Sequence, residues 1–172
     1  ARKKELSPAR THVQLLSDLF GVDIARFATH LTTINLATRD LIDQENYPQI
    51  ARSDFFDVAA HKKFISLPKR VETKTLGKRR EVDIPALDAV VSNPPYVRQE
   101  DIPGSRRTPT KPGTKEYYQK LVKDEASVIF SGRSDLHCYF WPHSASFLKE
   151  NGYLCLLTSS QVRVSRLDRR GR

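Results

Sequence analysis

Methionine is absent from all 172 residues, which predicts that the chain does not begin at its own start codon and is a piece of something longer or processed. Cysteine occurs only as Cys138 and Cys155. Both lie in apolar stretches and form no Cys-x-x-Cys pair, so neither a disulfide framework nor a zinc site is expected. His137-Cys138 and His143 bring metal-ligating side chains to one helical stretch, but their spacing suits an apolar helix face, and no metal is expected. No apolar run reaches the length of a membrane span or has the layout of a signal peptide. The expected location is the cytoplasm.

What the chain does have is charge and enough core. Its length suits one domain, and 38% hydrophobic residues can build an interior. A formal charge of +9 and a pI near 9.7 favour nucleic acid over acidic peptides as a partner. Arginine and lysine concentrate between His61 and Glu81, including Lys62, Lys63, Lys69, Arg70, Lys78, Arg79 and Arg80. A solvated loop or hairpin is the expected form of that segment. The last residues, 162–172, are arginine-dense without a core pattern and are expected to be a disordered basic tail.

Between these features, strand and helix signals alternate, which implies parallel strands joined by helical crossovers. Ser7-Pro8 reads as the start of a helix reaching Leu19, with Val13, Leu15, Leu16 and Leu19 on its buried side. Ala25 to Ala37 reads as a second helix capped by Asp23, with Ile24, Phe27, Leu31, Ile34 and Leu36 placed to pack on a sheet. Asp54, before Phe55 and Phe56, reads locally as a loop residue backed by an aromatic pair. From Arg98 to Arg133 runs an insertion whose first half is punctuated by proline and glycine and whose second half, around Tyr117, Tyr118, Lys120 and Lys123, reads as a short helix. Placed beside a pocket, such a loop could serve as a lid.

The clearest chemical signal is Asn93-Pro94-Pro95-Tyr96, directly after the apolar run Leu87-Asp88-Ala89-Val90-Val91-Ser92. That run has the continuous character of a buried parallel strand, and ligands of open α/β sheets bind at the carboxyl ends of strands. Two prolines fix φ at about −65° and remove two backbone donors, leaving carbonyls able to face a pocket. The asparagine side chain adds an amide oxygen that accepts hydrogen bonds. Tyr96 adds an aromatic face on which a flat heterocycle can stack. Read by itself the tetrapeptide is also an ordinary turn; its place after a strand favours a nucleobase pocket.

The stretch Asp88 to Arg98 resembles the catalytic strand and loop of the adenine-N6 DNA methyltransferases, most of all the fused restriction-modification type. Three further stretches resemble that family in the same order. Leu19 to Ile24 resembles the second strand, where the resemblance implies that Asp23 and Ile24 contact S-adenosylmethionine, the acid at its ribose hydroxyls. Ala51 to Phe56 resembles the third, giving Asp54 and Phe55 a place at the cofactor's adenine. Ser134-Asp135-Leu136 with the helix to Lys149, then Asn151 to Ser159, resembles the fourth helix and fifth strand. His137 stands where an aromatic is usual. The resemblance spans residues 15 to 161 and implies a partial Rossmann-like α/β methyltransferase domain over residues 1–161, mostly parallel and lacking the first strand.

No glycine precedes Gly21, so the family's glycine-rich cofactor loop is missing from this chain. Loss of the central first strand predicts low stability or association with another chain, and little activity in isolation. The implied partner is duplex DNA. Asn93, by its amide oxygen, and Pro94, by its backbone carbonyl, would accept the hydrogens of an adenine amino group turned out of the duplex. Pro95 would rigidify the corner, and Tyr96 would stack on the base. Related corners occur in release-factor glutamine methyltransferases and in RNA base methyltransferases. A non-catalytic nucleic-acid-binding remnant is the reading from another class.

Overall fold

The computed structural model describes residues 9–40, 46–68, 79–104, 111–130 and 133–158. The chain divides into two units, Ala1–Ala86 and Leu87–Arg172. Ser7-Pro8, the basic residues Lys69, Arg70 and Lys78, the Ser105 to Thr110 part of the insertion and the arginine-rich segment 162–172 lie outside the described residues.

In the first unit, helix α1 (His12–Leu16) is shorter than the Ser7-Pro8 signal suggests. Its N-cap is Thr11, whose hydroxyl accepts the Gln14 N–H while the Gln14 side chain accepts the Thr11 N–H, a complete capping box. Leu15 and Leu16 are buried as expected, but Leu19 falls beyond the helix and is 40% exposed. The chain then forms strand β1 (Phe20–Asp23), helix α2 (Arg26–Ala37) and strand β2 (Gln49–Arg52). β1 and β2 are parallel, with Asp23 opposite Arg52, which makes a β-α-β unit. The side-chain amide nitrogen of Gln49, buried, lies within hydrogen-bonding distance of the carbonyls of Leu16, Ser17 and Leu19, among which its two hydrogens satisfy acceptors left open after α1.

Helix α2 corrects two expectations. Its N-cap is Ala25 and not Asp23, whose carboxylate instead accepts the Ala25 N–H at 2.7 Å in an Asx turn ahead of the helix. Its apolar stripe does not face the sheet. Thr29 is the buried residue, Leu36 is half-buried, and Ile24, Phe27, Leu31 and Ile34 are exposed, Phe27 by 78%. Thr29 and Thr33 turn their hydroxyls back onto the helix carbonyls at Arg26 and Thr29, so small polar side chains line the covered face.

The basic segment forms the expected hairpin, β3 (Lys63–Pro68) antiparallel to β4 (Arg79–Asp83). Lys63 is ion-paired with Glu81, and Arg79 donates to the Ser66 hydroxyl at 2.9 Å. The ring of Phe64 on β3 meets that of Phe20 on β1 edge-on at 5.9 Å. Phe56, Val58, Leu67 and Ile84 complete the buried set.

The second unit is built on β5 (Leu87–Ser92) and β6 (Leu148–Leu156), again parallel, with helices α3 (Lys115–Ala126) and α4 (Leu136–Ala145) between them in sequence. α3 is a full helix capped by the Thr114 hydroxyl and ended by Ser127 in the left-handed conformation. α4 stops short of the expected Lys149, and the strand starts earlier than Asn151. Residues 149–152 bulge out between the Leu87–Leu148 and Ala89–Tyr153 pairs, with Asn151 at φ 63°. Tyr118, Val122, Tyr139, Phe140 and Phe147 form the core of this unit, with Tyr139 ringed by Tyr118 and Phe130 at centroid distances of 5.8 and 5.2 Å. β5 is not buried on both faces: Val91 and Tyr153 are each 79% exposed, and Cys155 beside them is exposed too. A two-stranded sheet has one face covered here, whereas a continuous apolar run ordinarily marks a strand covered on both.

Among the described residues no helix is long and apolar enough to cross a membrane, and no group of three or more His, Cys, Asp or Glu side chains could hold a metal ion.

Candidate functional site

The Asn93-Pro94-Pro95-Tyr96 corner follows β5 at its carboxyl end, as its position after an apolar run predicts. Ser92 accepts the Leu157 N–H at 2.9 Å, which brings the end of β6 beside it. Asn93 is exposed, Pro94 is fully buried, Pro95 is exposed and Tyr96 is 56% exposed. Pro94 thus fixes the corner to the interior with its ring and can serve a pocket only through its backbone. Asn93 offers its amide and Tyr96 its ring to solvent.

The Tyr96 hydroxyl has one proton and two acceptors in reach, the Leu157 carbonyl at 3.1 Å and the Asn93 amide oxygen at 3.4 Å. The shorter contact is the stronger hydrogen bond, so the Asn93 oxygen keeps capacity for another donor. Beyond Tyr96 the chain is tied to the start of α4. The Leu136 N–H donates to the Val97 carbonyl at 3.0 Å, and the Asp135 carboxylate accepts the Gln99 N–H at 2.8 Å. Asp135 stands at the N-cap of α4 yet makes no capping hydrogen bond to the helix. From sequence such an Asp before a helix reads as a cap, which hides its actual partner.

In the first unit, Asp23 ends β1 and Asp54 follows the end of β2, so two carboxylates sit at the carboxyl ends of neighbouring parallel strands. The Ser53 N–H donates to the Asp23 carbonyl at 3.2 Å and joins these two ends. Each carboxylate has one oxygen in a local turn, Asp23 with the Ala25 N–H and Asp54 with the Phe56 N–H at 3.0 Å. The Asp54 bond caps a short 3-10 turn, Phe55–Asp57. Among the described residues the second oxygen of each makes no hydrogen bond, so each can accept from a ligand hydroxyl or amino group. Ile24 is exposed, and its carbonyl accepts from Arg52 Nε at 3.3 Å. Phe55 is half-buried against Phe56.

Other reactive-looking groups belong to packing. His137 and His143 are buried in α4, as an apolar helix face predicts. His143 Nδ1 lies 2.6 Å from Glu125 Oε2 of α3, and its ring meets Phe147 edge-on. Burial, and to a smaller extent the charge of Asp135, pushes the Cys138 thiol above its ordinary value, which keeps it protonated and unreactive. A cavity lined by Ala145, Leu148, Lys149, Glu150, Asn151 and Gly152 lies at the start of β6, the opposite end of the strand from Leu157, and contains none of the predicted residues.

A comparison with curated proteins returns no match. The family model for the Eco57I restriction-modification methylase matches residues 17–166. That match covers most of the chain, from β1 through β6. The chain belongs to this family of restriction-modification methylases and carries a methyltransferase domain.

Proposed function

We propose that this member of the Eco57I restriction-modification methylases transfers a methyl group from S-adenosylmethionine to the N6 amino group of an adenine extruded from duplex DNA. The observation that carries the reading is the exposed Asn93 amide beside the exposed Tyr96 ring, at the carboxyl end of a parallel strand. Carboxylate oxygens at the ends of β1 and β2 have the acceptor chemistry that a ribose and an adenine amino group require, so Asp23 and Asp54 with Ile24 and Phe55 would hold the cofactor. Bound there, S-adenosylmethionine supplies an electrophilic methyl group.

The protein's own work falls to the corner. Asn93 Oδ1 and the Pro94 carbonyl accept the two amino hydrogens of the target base. Drawing both hydrogens out of the ring plane localises the nitrogen lone pair and stabilises the positive charge that develops there. Tyr96 stacks on the purine and offsets part of the few kcal/mol lost when a base leaves the duplex. Pro95 lacks an N–H and adds no competing donor. No side chain has to form a covalent bond, so positioning and electrostatics carry the rate.

Two measurements test this. Calorimetric titration of S-adenosylmethionine into the chain should give saturable binding that is weakened in Asp23→Ala. Nucleoside analysis of duplex DNA after incubation with the chain and labelled cofactor should show any methylated base to be N6-methyladenine. A methylated cytosine, or label transferred to peptide glutamine or to RNA in preference to DNA, overturns the substrate assignment.

A further inference from the structure

We infer that Asp135 is a positioning residue for the Asn93–Tyr96 corner, acting through the backbone of residues 97–99. What the corner does rests on the base-pocket reading above; what Asp135 does rests on geometry alone. β5 ends at Ser92, and Pro94 and Pro95 have no N–H to anchor the chain that follows. The next backbone anchors come from two consecutive residues. Leu136 donates its N–H to the Val97 carbonyl at 3.0 Å, and Asp135 accepts the Gln99 N–H on its carboxylate at 2.8 Å. Donor and acceptor are thus exchanged between the start of α4 and the segment after Tyr96.

A carboxylate–amide bond is charge-assisted and stronger than a neutral one. The acceptor also sits at the N-terminus of a helix, where negative charge is favoured. The same side chain makes no bond to the N–H groups of α4. Removing it therefore deprives the corner of an anchor without uncapping the helix. Because a small misplacement of acceptors lowers rate far more than it lowers affinity for a cofactor held by other residues, the signature is a fall in kcat with cofactor KM preserved.

The test compares Asp135→Ala with Asp135→Asn in the full chain, with wild type and Asn93→Ala alongside. Asparagine keeps an oxygen acceptor and remains a good residue before a helix. Hydrogen exchange at the Gln99 amide is read by NMR, and methyl transfer to duplex DNA by steady-state kinetics. Asp135→Ala should speed Gln99 exchange about tenfold or more. It should lower kcat on the order of 10²-fold with cofactor KM within about twofold, and Asp135→Asn should restore both. Should Asp135→Ala not fold, Asp135→Glu, which keeps the charge but shifts the acceptor by one methylene, provides the same contrast with Asp135→Asn. Wild-type exchange at Gln99 in Asp135→Ala, or an Asp135→Asn variant as impaired as the alanine, overturns the inference. Equal, measurable methyl transfer by wild type and Asn93→Ala removes the base-pocket reading, and where neither transfers, Gln99 exchange alone decides the clamp.

Discussion

The two units place their candidate residues in the same way and hold them in opposite ways. Each offers polar side chains at the carboxyl end of a two-stranded parallel sheet. In the first unit Asp23 and Asp54 are oriented by bonds to amides two residues further on. In the second, the corner is held across the chain: Tyr96 by Leu157, 61 residues away, and Gln99 by Asp135, 36 residues away. A site fixed by its own turn persists wherever the turn forms. A site fixed by distant partners exists only when the whole unit is folded, and it can lose function through residues that never meet a substrate.

Substitutions at the corner and at the turns should separate these two kinds of support. The largest effect is expected for Asn93→Ala, which should lower whatever methyl transfer the wild type supports by about 10²–10³-fold, the usual cost of losing one preorganised hydrogen-bonding group, with cofactor affinity little changed. A loss of cofactor binding of similar size would erase the distinction between the units. Asp23→Ala removes a hydrogen bond from a charged acceptor and should weaken S-adenosylmethionine binding about tenfold or more in a calorimetric titration. Its melting temperature should stay near wild type, because only a local turn is lost.

Tyr96→Phe comes next. It keeps the stacking face and removes the bond to Leu157, so it should cost about 1 kcal/mol in chemical denaturation of the second unit. Stability that is unchanged would show that the long-range tie contributes nothing. The smallest effect is expected for Phe27→Ser on the outward face of α2, within about 0.5 kcal/mol. A larger loss that grows with protein concentration would show that the exposed stripe is covered by association in solution.

The second unit also carries the pH response. Cys138 and Tyr139 have their acid groups raised above the ordinary values of 9.0 and 10.0, chiefly by burial. In the unfolded chain these groups ionise first, so unfolding is favoured progressively as pH rises past the ordinary thiol value. Stability measured from neutral to alkaline pH should fall in that direction, and Cys138→Ala should remove part of the slope. Alkylation at mildly alkaline pH should modify exposed Cys155 before Cys138.

What could be read from sequence follows the same division. The strand before Asn93, the exposed amide and tyrosine after it, and the basic hairpin were all legible because each is encoded by neighbouring residues. The place of Asp23 and Asp54 at strand ends was legible too, but the caps were not: Asp23, expected to cap α2, bonds Ala25 ahead of the helix, and Asp54, expected to be a loop residue, caps a short 3-10 turn. Thr11-His12-Val13-Gln14 carried a capping-box signal that outranked Ser7-Pro8 as the start of α1. The periodicity of α2 marked a stripe correctly and assigned it to the wrong surroundings, because hydrophobic spacing tells which residues share a face and not what covers that face. Asp135 was hidden for another reason. Its partner amide lies 36 residues upstream, and no local pattern names it.

The tyrosine hydroxyl at Leu157 has a further consequence for timing. With its backbone following two prolines and its hydroxyl tied to the end of β6, the Tyr96 ring loses most of its rotational freedom when the unit folds. If Tyr96 stacks on a base as proposed, the arriving base would therefore meet a surface already ordered, and the entropy of fixing that surface would weigh on protein stability and not on the encounter. On that proposal, cutting the tie would leave the stacked complex equally snug but slower to assemble, and the hydroxyl would govern how readily a base is captured more than how tightly it is kept.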